Sequence, residues 1–209
     1  MKILIATNKE HASFISSTLD ELGIPVSDDI HIHWAGRIDF DTAPLYDVGV
    51  SFMYQYKVPA RQVNSYTWIN FHPAPLPEYG GRNLCYHAIM NGEMEFGSTI
   101  HYMDEGFDTG RIIRVDRFKI LPSDTSQDVS DMALNFSREQ FKGYFPKILK
   151  GEKFFTSENV NTKYYEKMPI QDEIWLDAET KKLIRAITYG NFHPKVNIGG
   201  ITYKIVRDE

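Results

Sequence analysis

Two short segments of the chain carry side chains that can move a proton and meet developing charge. The first reads Ile69-Asn70-Phe71-His72-Pro73-Ala74-Pro75-Leu76-Pro77-Glu78-Tyr79-Gly80-Gly81. The second reads Gly97-Ser98-Thr99-Ile100-His101-Tyr102-Met103-Asp104-Glu105-Gly106-Phe107-Asp108-Thr109-Gly110. Asn70 and His72 lie two residues apart at the end of an apolar run, so a strand there turns both side chains to one side. An amide donor and an imidazole facing one point can polarise a carbonyl and transfer a proton. Asp108 sits in a glycine-flanked loop after a second apolar run, and a carboxylate beside an imidazole holds its orientation. By residue type alone a second reading stands beside this one. A histidine after a strand is commonly structural, and an aspartate between glycines is commonly a turn residue.

The elements that must position these groups follow from periodicity. Residues 1–7 read as a buried strand and the following stretch to Leu22 as a helix, with Phe14, Ile15, Leu19 and Leu22 at helical spacing. Strand, polar turn and helix make the opening half of a βαβ unit. Strands are expected at 30–34, 48–54 and 67–71, with a short helix at 59–64. Pro73, Pro75 and Pro77 exclude regular structure across 72–81, because each lacks an N–H and restricts its predecessor. A helix over 83–91 and strands at 98–103 and 111–120 follow, flanking the 104–110 loop. A long helix opens at Thr125 or Ser126 and ends at Gly151, with Pro146 as a point of kinking or division. The remainder changes texture. Residues 164–174 are polar and irregular, 177–188 read as a helix, and 196–206 as a hairpin turning at Gly199-Gly200. The reading is an α/β core with a mostly parallel twisted sheet over 1–150, plus a small C-terminal helix and β-hairpin subdomain over 151–209.

Composition narrows the function. Lys plus Arg is 23 against 28 Asp plus Glu, a net charge of −5, which disfavours a nucleic-acid binder. The single cysteine, Cys85, excludes an intrachain disulfide and fits a reducing compartment. No apolar run reaches the roughly 18 residues that span a bilayer, and the N-terminus is polar too soon for a secretion signal. A cytoplasmic protein with no nucleic-acid or membrane partner is expected. His31 and His33 alternate on a strand with the spacing of a metal pair, and Asp28 and Asp29 read as turn residues beside them; no metal site is expected.

The pattern N-x-H-P-x-x-L-P, followed after about thirty residues by H-x-x-D-E-G-x-D-T-G, resembles the 10-formyltetrahydrofolate-dependent formyltransferase family. The resemblance covers roughly residues 1–150. It implies a Rossmann-like fold, 10-formyltetrahydrofolate as co-substrate without a metal, and Asn70, His72 and Asp108 as the catalytic trio. It also implies a folate pocket formed by Phe52, Met53, Tyr54, Tyr56, Lys57 and Val58 with Asp104, Glu105 and Gly106; Met53, Tyr54 and Tyr56 suit a core equally well.

Departures within the family point to an acceptor. Asn8-Lys9 lacks the glycines of the purine enzyme's phosphate loop; the residues beyond 150 are too few for the tRNA branch's C-terminal domain, which is basic, whereas this chain as a whole is acidic. The run Pro73 to Gly81 and the tail from Ile184 resemble the sugar N-formyltransferases. The expected acceptor is a dTDP- or UDP-linked 4-amino-4,6-dideoxy sugar on a route to a bacterial surface glycan such as O-antigen or a pseudaminic-type acid. Asn8, Lys9, Tyr79, Gly80, Arg82, Tyr189 and Phe192 are its expected contacts. Alternatives are a phosphoribosylglycinamide formyltransferase-like enzyme, a formyltetrahydrofolate hydrolase, and a non-catalytic folate or nucleotide-sugar binding protein. Trp175, Ile198, Ile201, Tyr203 and Ile205 lie on elements too small for their own core, so a homodimer built partly by the tail is expected.

Overall fold

Four consecutive aliphatic residues, Ile3–Ala6, are all buried and form β1, as expected for a parallel strand covered on both faces. The protein is seen here in a computed structural model that describes residues 1–167, 173–174, 179–190, 192–198 and 201–204. Helix α1 (Lys9–Glu21) follows β1, with the Asn8 side chain accepting from the His11 N–H at its start. It buries Ile15, Thr18 and Leu19 on one face. Strand β2 (Ile30–His33) and β3 (Val48–Phe52) lie on either side of β1. Strand β3 stops two residues earlier than expected because Met53 takes a φ of 56°, which breaks the ladder. The short helix α2 (Ala60–Ser65) leads into β4 (Thr67–His72).

After β4 the chain enters the proline segment, held by Thr99: its hydroxyl accepts from Leu76 N–H and donates to the Ala74 carbonyl. Regular structure returns sooner than the prolines suggested, in the two-residue β5 (Gly80–Gly81). Helix α3 (Leu84–Asn91), β6 (Glu95–Tyr102) and β7 (Ile112–Lys119) come next. Helix α4 (Ser126–Leu149) begins with a reciprocal capping box between Thr125 and Asp128 and runs through Pro146 without dividing. Beyond it come β8 (Tyr164–Tyr165), β9 (Glu173–Ile174), α5 (Thr180–Ile187), β10 (Lys195–Ile198) and β11 (Ile201–Lys204).

The main sheet has six strands in the order β2-β1-β3-β4-β6-β7. The first three pairings are parallel; β4–β6 and β6–β7 are antiparallel. Strand alternation divides the molecule into two faces. Ile3, Ile5, Val50, Phe52, Ile69, Phe71 and Ile100 pack with α1 and α4 through Ile15, Leu19, Phe141 and Phe145. The opposite face carries Leu4, Ala6 and Trp68, covered by Ile38 and Val58. It also carries Ser51, Asn70, Thr99, His72 and His101, since Ser51 pairs with Asn70, Asn70 with His101 and His72 with Thr99.

The tail packs on this core in pieces. Residues 152–167 cross it as a strap: Ser157 bridges to Ile112, and β8 pairs in parallel with β5. Helix α5 contributes Ala186 to a third cluster with α3 and α4. Strands β10 and β11 form the expected antiparallel pair, joined by β9; Trp175, Ile205 and the Gly199-Gly200 turn lie outside the described residues. Among the described residues no helix is long and apolar enough to cross a membrane.

Two glycines test this packing in opposite directions. A Cβ on Gly49 would sit 2.2 Å from the Trp68 ring, so Gly49→Ala should destabilise by about 1–3 kcal/mol through overpacking. Gly143 lies in α4 with nothing within 4 Å of its built Cβ, so Gly143→Ala should stabilise by roughly 0.5–1 kcal/mol. Thermal unfolding of both variants reads this; equal shifts of one sign would contradict the assignment of faces.

Candidate active site

The face opposite α1 and α4 opens into a cavity of about 580 Å³. Asn70, His72, His101 and Asp108 all line it. Three come from the sheet by alternation and register, and the fourth returns from the loop after β6. That loop leaves the sheet beside a register irregularity between Ile100 and His101, the kind of bulge that re-aims a side chain.

The hydrogen bonds assign both histidine tautomers. His72 Nε2 lies 2.8 Å from the Tyr79 carbonyl oxygen. A carbonyl only accepts, so Nε2 carries the proton and Nδ1 offers a lone pair. Nδ1 lies 3.6 Å from Asp108 Oδ1, close enough to pair once it is protonated. His101 has the reverse arrangement. Its Nδ1 lies 2.8 Å from the Tyr102 carbonyl and donates to it, leaving Nε2 as the acceptor for the Asn70 amide at 3.1 Å. That contact turns Asn70 Nδ2, and not Oδ1, toward His101, and leaves the second N–H of the amide for the cavity.

Electrostatics agree with the tautomers. Burial pushes His101 down to about 4, with the neighbouring His72 adding to the effect, so His101 is neutral at pH 7. Burial alone would raise the Asp108 carboxyl. His72, the Gly81 N–H and His101 outweigh it and hold Asp108 below the usual carboxylate range. Gly81 N–H donates to Asp108 Oδ2 at 2.9 Å. The site thus holds one neutral donor amide, one imidazole with a lone pair facing an ionised carboxylate, and one neutral imidazole behind the amide.

Of the residues expected to hold folate, Met53, Tyr54, Tyr56, Lys57, Val58, Asp104 and Gly106 line the cavity. Phe52 does not. Its alternation is opposite to that of Ser51, and it is fully buried against Phe14, Phe71 and Phe141. Glu105 also lies off the cavity lining and accepts from Asn64 at 2.7 Å. Lys57 sits over the Phe107 ring at 4.6 Å, giving the cavity mouth a cationic, aromatic edge.

Of the expected acceptor contacts, Arg82 lines the cavity and the others are placed elsewhere. Asn8 is spent as the N-cap of α1, and Lys9 is exposed in its first turn. The Tyr79 ring lies behind the site, stacked on Tyr165 at 5.0 Å, with its hydroxyl donating to Glu93. Gly80 is buried in the β5–β8 ladder. Tyr189 and Phe192 form a turn against the start of α4, where Tyr189 meets Ser130 and Gly190 meets Gln127. His31 and His33 are engaged separately, with the Tyr46 hydroxyl and the Gly36 carbonyl. Cavity residues that sequence reasoning missed include His101, Gly81, Phe107, Tyr164 and Lys167. For His101 a signal existed, since its motif places it on the strand that pairs with Asn70. Tyr164 and Lys167 belong to no motif.

Known proteins resemble this chain in sequence and in fold. Residues 47–142 match the family model for formyl transferase, a stretch that contains Asn70, His72, His101 and Asp108. A curated relative is GDP-perosamine N-formyltransferase of Brucella melitensis, 28% identical over 165 residues, 76% of this chain and 64% of that protein. The chain therefore spans less than two-thirds of that relative's length. A 4-N formyltransferase from Francisella tularensis shares the fold with a TM-score of 0.80 at 23% identity, covering 99% of this chain and 97% of that one. An N-formyltransferase from Helicobacter canadensis, solved with folinic acid and dTDP-3-aminofucose, shares it with a TM-score of 0.74 at 21% identity, covering 96% and 85%. Over residues 47–142 the chain is similar to the formyl transferase family, and its fold is shared with sugar N-formyltransferases.

Proposed function

We propose that this protein transfers a formyl group from 10-formyltetrahydrofolate to the amine of a nucleotide-linked 4-amino-4,6-dideoxy sugar. The observation that carries the reading is the convergence of Asn70, His72 and Asp108 on one cavity, within a stretch that matches the family model for formyl transferase. The apolar and aromatic lining from Met53 to Val58 suits a flat heteroaromatic ring edged by backbone donors and acceptors. Arg82 and Lys167 on the same cavity are cations suited to a diphosphate. For the nucleotide, dTDP and UDP are the favoured bases, and the Brucella relative adds GDP to those worth testing. A homodimer and a place in surface-glycan synthesis are part of this proposal.

The side chains support a direct transfer. Folate supplies the formyl group on a nitrogen that can leave. The neutral sugar amine attacks the formyl carbon, a C–N bond forms, and the carbonyl electron pair moves onto oxygen. The Asn70 N–H not engaged by His101 meets that developing negative charge. His72 Nδ1 takes the proton that the attacking nitrogen loses and becomes an imidazolium facing ionised Asp108. It then returns the proton to the departing folate nitrogen as the carbonyl reforms. The fixed Nε2–H of His72 leaves Nδ1 as the atom that makes this exchange.

Incubation with 10-formyltetrahydrofolate and dTDP-, UDP- and GDP-linked 4-amino-4,6-dideoxy sugars tests the reading by mass spectrometry. The expected product is one amino sugar heavier by a single formyl group. Formate release at the same rate without any amine would contradict it and indicate a hydrolase. Asn70→Ala and His72→Ala should each lower transfer by about two to three orders of magnitude, with folding retained. Near-full activity of His72→Ala would remove it from the mechanism.

His101 supplies a pH test. An unperturbed imidazole titrates at 6.5, and that of His101 titrates at about 4 in the folded protein. Between those values the unfolded chain binds more protons, so stability falls as pH drops from 6.5 toward 4 and is flat, as far as His101 is concerned, above 6.5. His101→Asn should flatten the fall of thermal midpoint across that window by up to one proton's worth, about 1.4 kcal/mol per pH unit. An unchanged slope would show that His101 is not held neutral. His11, also lowered by burial, leaves a residual slope in both proteins.

A further inference from the structure

Asp108 sits in a backbone conformation that its own sequence does not favour. Its φ is 57°, in the left-handed region that a non-glycine residue keeps only when its surroundings hold it there. The surroundings that hold it come from the strap, outside the stretch matched to the family. Asn159 Nδ2 donates to the Asp108 carbonyl at 2.8 Å and to the Gly110 carbonyl at 3.0 Å. Both partners are acceptors only, so the amide orientation is unambiguous. Asn159 Oδ1 in turn accepts from the Thr162 hydroxyl at 2.8 Å, which fixes the side chain from its other end.

The strap is itself tied down on both sides of Asn159. Ser157 and Ile112 exchange both backbone bonds, at 2.9 and 3.0 Å. Lys163 donates to the Pro77 carbonyl and accepts from Gly80 N–H, each at 2.9 Å, and Arg82 N–H donates to the Tyr165 carbonyl at 3.0 Å. The second group of bonds fixes β5, whose Gly81 N–H meets Asp108 Oδ2. The strap therefore grips the aspartate through its main chain, by Asn159 and more weakly by the Thr162 hydroxyl at 3.3 Å, and through its carboxylate by way of Gly81. A 104–110 loop without the Asn159 contacts has no side chain bridging the Asp108 and Gly110 carbonyls.

We propose that Asn159 is a positioning residue for this site: it holds the turn that aims the Asp108 carboxylate at His72. The inference rests on the formyl-transfer reading for its kinetic consequences and on geometry alone for its structural ones. Asn159 does not itself line the cavity, and the lining residue its amide bonds is Asp108, so its effect passes through Asp108. Displacement of a catalytic group by about 1 Å costs on the order of 100-fold in rate, and a loosened turn permits displacement of that size.

The test has two arms on the full chain. In the first, the Gly81 amide proton is followed by NMR through an acid titration, because it donates to Asp108 and reports that carboxylate whatever the substrate. Asn159→Ala should shift this resonance and reduce its response to acid; an unchanged titration overturns the proposal. In the second, Asn159→Ala should lower kcat about 10–100-fold, with both KM values within about threefold. The same change made in Asp108→Asn should alter kcat by less than about twofold, since the residue acts through a carboxylate already removed. Losses that multiply fully in the double variant would assign Asn159 a general structural role and overturn the proposal. If Asn159→Ala fails to fold, Asn159→Ser, which keeps one donor, replaces it in both arms with the same criteria and a several-fold loss expected. Absence of transfer by the unaltered protein to any nucleotide amino sugar would sink the proposed function, and the Gly81 arm would still decide this one.

Discussion

A single proton, shared between His72 Nε2 and the Tyr79 carbonyl, orders the chemistry of the site. Because the carbonyl can only accept, that bond decides which imidazole nitrogen is left to exchange a proton. Everything near it is built to keep the carbonyl there. The Tyr79 ring is stacked on Tyr165, its hydroxyl is bound by Glu93 and Asn91, and Tyr79 N–H closes a turn to Pro75. The opposing tautomer of His101, set by the Tyr102 carbonyl, orients the Asn70 amide in the same way. Two backbone carbonyls thus determine which nitrogen of each imidazole carries a proton and how the Asn70 amide is turned.

The sheet makes this arrangement possible through its two-residue period. One face of β3, β4 and β6 is given to aliphatic and aromatic packing against α1 and α4; the other face is free for polar groups. The polar groups on that second face do not float. Thr99, beside His72 across the β4–β6 pairing, pins the proline segment at two points. Under the same strand, Ser98 is buried and joins the His72 carbonyl to Gln140 and Ser137 of α4. Buried hydrogen bonds of this kind contribute little net energy each but are costly to leave unmade. The end of β4 is consequently among the most constrained parts of the fold.

The strands, the long helix and the convergence of Asn70, His72 and Asp108 on one cavity were legible because each rests on local information: periodicity, capping residues, and a motif with a fixed spacing. The misplaced residues share a different property. Phe52 has the right neighbours in sequence but the wrong parity, and only the strand's face decides that. Asn8 has the right position for an anion contact, yet the helix that follows needs its side chain as a cap. Tyr189 and Phe192 make a local turn whose docking on α4 depends on distant contacts. His101 required the β4–β6 register. The strap required still more, because Asn159, Tyr164 and Lys167 carry no motif and gain meaning only where β8 meets β5.

The tautomers of the two histidines are the most direct test of the account. Nitrogen-15 NMR of the histidine side chains at neutral pH, assigned with His72→Ala and His101→Asn, distinguishes Nδ1–H from Nε2–H imidazoles. The expected result is a His72 whose neutral form carries its proton at Nε2 and a neutral His101 protonated at Nδ1. A neutral His72 protonated at Nδ1, or a His101 protonated at Nε2, would contradict the assignment of His72 as the proton-exchanging base and of Asn70 as the oriented donor.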